Sequence, residues 1–236
     1  MKKSKMLLML PLAAILVFTA CEDEETAFEA DVDVFVLSQK NAEDAVVYAP
    51  VYYVYGNKNM DDVTVLTSSG NEVQLKSDGN TDSRFLKEPA EEDFQLTPPT
   101  TGNYNFDILA SSGEEVQESD QLGSGNLPPV TIEKAVVEEN VLEMEWTDIG
   151  AQAYSLRMYA ITDDNEEQII YAGNFQEAAT LALNPALENF QNGQHPQEGE
   201  DYILELQSYL FEEGVQNNLS SNIQAVSAAR DTITWN

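Results

Sequence analysis

The side chains able to do chemistry are few in kind. Cys21 is the only cysteine and His195 the only histidine among 236 residues. One of each cannot make a zinc site of His and Cys ligands, which takes three or four. His195 stands beside Pro196 in a polar stretch and reads as a solvent-facing loop residue. Carboxylates are plentiful, 42 in all. Two carboxyls at a fixed separation hydrolyse glycosides, but with this many candidates a suitable pair arises by chance and abundance is no signal. Asp78-Gly79-Asn80-Thr81-Asp82 and Asp163-Asp164-Asn165-Glu166-Glu167 carry the oxygens that calcium takes. Neither follows the calcium-loop spacing D-x-[DN]-x-[DN]-G-x5-E, and turn chemistry explains both. The serine-elbow, phosphate-loop, zinc-protease and dinucleotide motifs are absent. The chain is therefore read as non-enzymatic, with no metal and no cofactor.

Aromatic side chains offer a different chemistry. Tyr48, Tyr52, Tyr53 and Tyr55 fall in one β-prone run, where successive side chains point to opposite faces. Tyr53 and Tyr55 share one face, Tyr48 and Tyr52 the other. One pair belongs in a core. If the core pair is Tyr48 and Tyr52, Tyr53 and Tyr55 are candidate ligand-facing rings, since flat aromatics on a sheet stack on sugars. Cross-strand packing is the plainer account of the same residues.

The elements that must hold these residues are strands. Val32, Val34 and Val36 alternate with Asp31, Asp33 and Phe35. The run Val46 to Tyr55 contains Pro50, which marks an edge or a bulge. Asp62–Leu66 and Glu72–Leu75 flank Ser68-Ser69-Gly70-Asn71, a hairpin pattern. Phe94 and Leu96 lead into Pro98-Pro99, and Tyr104, Phe106 and Ile108 line one face. Gly123-Ser124-Gly125-Asn126-Leu127-Pro128 has linker composition. Beyond it the rhythm resumes at Val130 and Ile132, in Leu142, Met144 and Trp146, in Tyr154, Leu156 and Met158, at Ile169–Tyr171 and at Thr180–Leu183. Asn184-Pro185 is expected to open a short helix ending near Phe190. Tyr202, Leu204 and Leu206 form the next strand, and a last one lies within Asn222 to Trp235. Parallel α/β folds need helices between strands, and these are missing. The expectation is all-β, in two tandem sandwiches over 28–122 and 129–236, joined by a linker at 123–128.

Upstream, Lys2, Lys3 and Lys5 precede an apolar run from Met6 to Phe18, and Thr19 and Ala20 precede Cys21. Basic start, short apolar core and small-residue exit are the layout of a secretory signal peptide over residues 1–20. Its 13 apolar residues fall short of the roughly 20 that span a bilayer. Removing residues 1–20, with Lys2, Lys3 and Lys5, leaves 8 basic against 42 acidic residues, a formal charge of −34. So acidic a surface disfavours nucleic acid and anionic lipid. Glu22, Asp23, Glu24 and Glu25 form an acidic block that repels itself into an extended tether over 21–27.

Three resemblances follow. Phe18-Thr19-Ala20-Cys21 resembles the bacterial lipobox, with Phe18 where Leu is usual. That resemblance implies acylation of Cys21, which would anchor the protein in a membrane. The acids Glu22–Glu25 behind such a cysteine look like the surface-export signal of Bacteroidota lipoproteins, which implies the outer membrane, with the cell surface favoured over the periplasmic face. Residues 129–236 resemble a fibronectin type III domain. Trp146 stands at the end of the second strand and Tyr154 at the opening of the third. Gly199 and Tyr202 match the Gly-x-x-Tyr before the sixth. The resemblance implies an immunoglobulin-like sandwich with Tyr202 packed at its corner. Gly102-x-Tyr104 is a shortened echo in the first half. Together these readings imply a lipid-anchored envelope protein that binds a glycan or a protein partner, or serves as a structural spacer.

Overall fold

The computed structural model describes residues 26–79, 81–162, 164, 166–186, 188, 190–214 and 222–236. The signal segment 1–20, Cys21 and the acids Glu22–Glu25 lie outside the described residues. In the N-terminal half the strands are β1 (Ala30–Lys40), β2 (Val46–Gly56), β3 (Met60–Leu66), β4 (Glu72–Gln74), β5 (Lys76–Ser77), β6 (Arg84–Lys87), β7 (Gly102–Ala110) and β8 (Glu115–Leu122). The C-terminal half adds β9 (Ile132–Glu138), β10 (Val141–Trp146), β11 (Ala153–Ile161), β12 (Glu167–Ala172), β13 (Thr180–Leu183), β14 (Asp201–Phe211) and β15 (Ile223–Thr234). The protein is all-β; its only helical turns among the described residues are 3-10 turns at Glu91–Asp93 and Gln191–Gly193.

Alternation along the strands explains the layers. In β1, Val34 and Val36 point inward with Tyr52 and Val54 of β2. They meet Val63 and Val65 of β3 and Tyr104, Phe106 and Ile108 of β7 in one core. In the second half, Leu142, Met144 and Trp146 of β10 meet Leu156 and Met158 of β11 and Leu204 and Leu206 of β14 in another. Three sheets supply these cores. A four-stranded sheet runs β4-β3-β7-β8, and a three-stranded sheet runs β13-β10-β9. The third has eight strands in the order β12-β11-β14-β15-β1-β2-β6-β5 and passes through both halves. In each half the first two strands share a sheet, β1 with β2 and β9 with β10, and the strands that carry Tyr104 and Tyr202, β7 and β14, lie in the facing one.

The continuity of the large sheet rests on β1 and β15, which pair in parallel with Val36 opposite Ala225, Leu37 opposite Val226 and Ser38 opposite Ser227. The strands β14 and β15 consequently serve both cores. Ala225 belongs to the first, and Leu210 packs against it. Leu206 and Ile233 belong to the second. Between the two cores lies a row of buried serines in register, Ser38, Ser227 and Ser208. The segment expected as a linker, 123–128, crosses the sheet at this row and is bound there. Ser38 Oγ donates to Leu127 O at 3.3 Å, and Val130 N donates to Ser227 Oγ at 2.9 Å. Gln224 grips Gly123 through both N–H and C=O and also donates to Gly125 O. A Cβ on Gly125 would lie 2.9 Å from Gln224 Cγ and 3.2 Å from Leu210 Cδ2. Close approach, not looseness, requires this glycine.

Two expectations resolve locally. Pro50 faces a gap on the second flank of β2, between the bridge Tyr48–Gln95 and the β6 pairing that starts at Tyr52; its missing N–H leaves no ladder broken there. The helix expected after Asn184 is not formed among the described residues. Asn184 Oδ1 instead accepts from Ala186 N at 3.0 Å. That bond is an Asx turn, which competes with helix initiation.

Candidate binding face

The inner face of the eight-stranded sheet is consumed by the two cores, which leaves its outer face available. On β2 the tyrosines divide as alternation requires. Tyr52 is buried and Tyr48 packs on the first core, while Tyr53 and Tyr55 turn outward. Tyr55 is 47% exposed and stands opposite Arg84 of β6. Tyr53 is half-buried. Burial raises its hydroxyl pKa, and a hydrogen bond from Arg84 partly offsets this. Tyr53 is thus committed to Arg84, which also pairs with Asp78 at 2.9 Å. Of the two rings, Tyr55 alone presents a free surface.

Further along the same face the pairing of β11, β14 and β15 assembles a group that lies on three separate sequence segments. Arg157 is opposite Glu205, and Glu205 is opposite Arg230. Glu205 takes both guanidinium groups, Arg157 and Arg230 each at 3.6 Å, and Arg230 also pairs with Glu167. The Arg230 guanidinium lies over the Tyr159 ring, 5.4 Å from its centre, a favourable cation–π arrangement. Gln207 Nε2 donates to Glu205 Oε1 at 2.7 Å, and the Tyr209 hydroxyl donates to Gln207. Ser155 Oγ lies 3.2 Å from that hydroxyl. Burial works against the charge on Arg157, but Tyr209, Tyr159 and Glu205 more than offset it and the net shift is upward. Both tyrosine hydroxyls are raised, chiefly by burial, and stay protonated donors.

Beside this network is an aromatic cluster. Phe175, 41% exposed, meets Tyr209 edge-on at 4.7 Å and Phe211 at 5.9 Å between ring centres. A shallow depression bounded by Ile203, Arg230, Asp231 and Thr232 lies at the other end. All three of the chain's arginines, Arg84, Arg157 and Arg230, therefore lie on this one face, the last two in a single network. Alternation with the inward Leu156, Met158, Leu204 and Leu206 turns Arg157, Glu205 and Gln207 outward, but which strands lie side by side is a long-range property that alternation does not carry. Of the acids in the two calcium-like stretches, Asp78 pairs with Arg84 and Glu167 with Arg230. Asn80, Asp163 and Asn165 lie outside the described residues. His195 is exposed, with its ring 5.2 Å from Phe190.

No protein-family profile matches the chain, and no curated protein matches it. Among solved structures it is similar to Tp47, the 47-kilodalton lipoprotein of Treponema pallidum, at 11% identity and a TM-score of 0.35. The match covers 86% of this chain and 50% of that one, so the chain spans half the length of that structure. A likeness of this degree fixes neither fold nor role.

Proposed function

We propose that the protein is a lipid-anchored, non-enzymatic binding module of the bacterial envelope that takes its ligand on the outer face of the eight-stranded sheet. Anchoring rests on Cys21 behind the signal-like segment, and the acids Glu22–Glu25 serve as tether and export label at the outer membrane. The halves are two immunoglobulin-like sandwiches, the second related to fibronectin type III domains. Supporting that kinship are Tyr202, whose hydroxyl accepts from Gln197 N at 2.8 Å, and Tyr104, whose hydroxyl donates to Thr100 O at 2.7 Å. Both are corner ties of the kind found in such sandwiches.

One observation carries the binding reading: the exposed ring of Phe175, packed on Tyr209, borders a fixed array of guanidinium, carboxylate and amide groups, with the exposed ring of Tyr55 farther along the same face. Rings stack on sugar faces, and planar polar groups pair with hydroxyls in two directions at once. A neutral or weakly charged glycan is the ligand chemistry that fits, because Arg157 and Arg230 are balanced by Glu205 and Glu167. Electrophoresis of the full-length protein through polysaccharide-loaded gels tests this. We expect retardation by at least one glycan, loss of most of it in Phe175→Ala and Arg230→Ala, and retention in Leu66→Ala, which lies on a different sheet. Absence of retardation by every glycan, or equal loss in Leu66→Ala, contradicts it.

A structural reading is favoured by a different observation, the bound crossing segment and shared sheet that make the chain a stiff spacer. Co-purification of another envelope protein with the membrane-anchored chain, unaffected by Arg230→Ala, would support that reading over the first.

A further inference from the structure

We propose that Asp33 is a proton-operated latch between the two halves of the molecule: when neutral its carboxyl ties β1 to the start of β15, and its ionisation loosens that joint. Asp33 is 1% exposed. Its Oδ2 accepts from Ile223 N at 3.1 Å, across 190 positions of sequence. This contact is made just where β15 begins its parallel run beside β1. The other oxygen, Oδ1, has no hydrogen-bond partner among the described residues. A buried carboxyl oxygen left bare is costly when charged and far less so when it carries the proton.

The groups facing Asp33 make ionisation worse. From β8 comes Asp120, whose Oδ2 accepts from Val34 N at 2.7 Å and whose Oδ1 accepts from Gln121 N at 2.7 Å. Glu212, one residue past β14, also acts on it, and is itself held above its usual range by burial and then by Asp120. On β2 the opposite residue is Tyr53, whose hydroxyl is engaged by Arg84 with Asp78 nearby. On β1 itself the same-face neighbours are Asp31, which is exposed, and Phe35. The start of β15 offers the amides of Ile223 and Asn222. Three acids thus converge where the halves join, and Asp33 is the most deeply buried of them, with two main-chain amides and no cation to hold it ionised.

The direction with pH follows. Burial first, then Asp120 and Glu212, push Asp33 from its ordinary 3.8 up to about 8, against the pull of the two amides. Between those values the folded chain holds a proton that the unfolded chain has lost. The tie is at full strength below about pH 4, weakens as pH rises and is lost through about pH 8, by up to about tenfold in the joint's equilibrium per pH unit.

Amide hydrogen exchange of the full-length protein between pH 6 and 9 tests this, comparing residues 223–227 with 104–108 of β7. Base catalysis speeds both sets alike, so their ratio isolates the joint. We expect the ratio to rise about tenfold or more in the wild type and to stay constant in Asp33→Asn, which keeps the shape without the charge. In Glu212→Gln the rise should shift to lower pH, because removing a neighbouring acid lets Asp33 ionise sooner. A constant ratio in the wild type, or an unchanged rise in Asp33→Asn, overturns the proposal. If Asp33→Asn does not fold, an unshifted rise in Glu212→Gln overturns it.

Discussion

At the scale of single residues, the two corner tyrosines are the clearest test of local design. Each is buried in its own core, and each hydroxyl closes the turn four or five residues upstream. Removing one hydroxyl leaves a main-chain group without its partner while the ring still fills its space. We expect Tyr202→Phe and Tyr104→Phe each to lower stability by about 1–2 kcal/mol, read as a lower urea midpoint with unchanged slope. No loss in either would mean that water replaces the hydroxyl and the corner is not a tie. Tyr55 and Tyr53 show the same economy in reverse. Neighbours on one face, they differ in use, because Arg84 has occupied the hydroxyl of Tyr53 and left only the ring of Tyr55 open.

At the scale of elements, the decisive piece is the crossing segment. Its composition of Gly, Ser, Asn and Pro matches a flexible linker, yet its polar groups are bound by Ser38, Ser227 and Gln224. Substituting Gly125→Val inserts a branched side chain against Gln224 and Leu210. We expect a cost of about 1–3 kcal/mol, typical of overpacking, with faster proteolysis within 123–128. Unchanged stability would show the segment free to swing. Strand positions were legible because alternation is local: Leu142, Met144 and Trp146, or Tyr104, Phe106 and Ile108, declare an inward face without knowledge of a partner. The crossing segment was not, since its glycines look the same whether they serve freedom or close approach. The Arg157–Glu205–Arg230 network was only partly legible; alternation with Leu156 and Leu204 turns Arg157 and Glu205 outward, but neither the face of Arg230 nor the pairing that gathers the three is local information. The helix expected after Asn184 failed for a related reason, because Asn-Pro suits a turn as well as an N-cap.

At the scale of the whole molecule, the account turns on one sheet serving two cores. The strands β14 and β15 place Leu206 and Ile233 in one core and Leu210 and Ala225 against or within the other, so neither half can unfold without exposing apolar surface in its neighbour. The chain carries a formal charge of −31, and its self-repulsion favours separation of the halves; the β1–β15 pairing and the serine row oppose it. Scanning calorimetry of the full-length protein tests this most directly. The account predicts a single transition whose calorimetric and van't Hoff enthalpies agree. Two resolved transitions, or a van't Hoff enthalpy about half the calorimetric one, would contradict it and return the halves to independent sandwiches on a string.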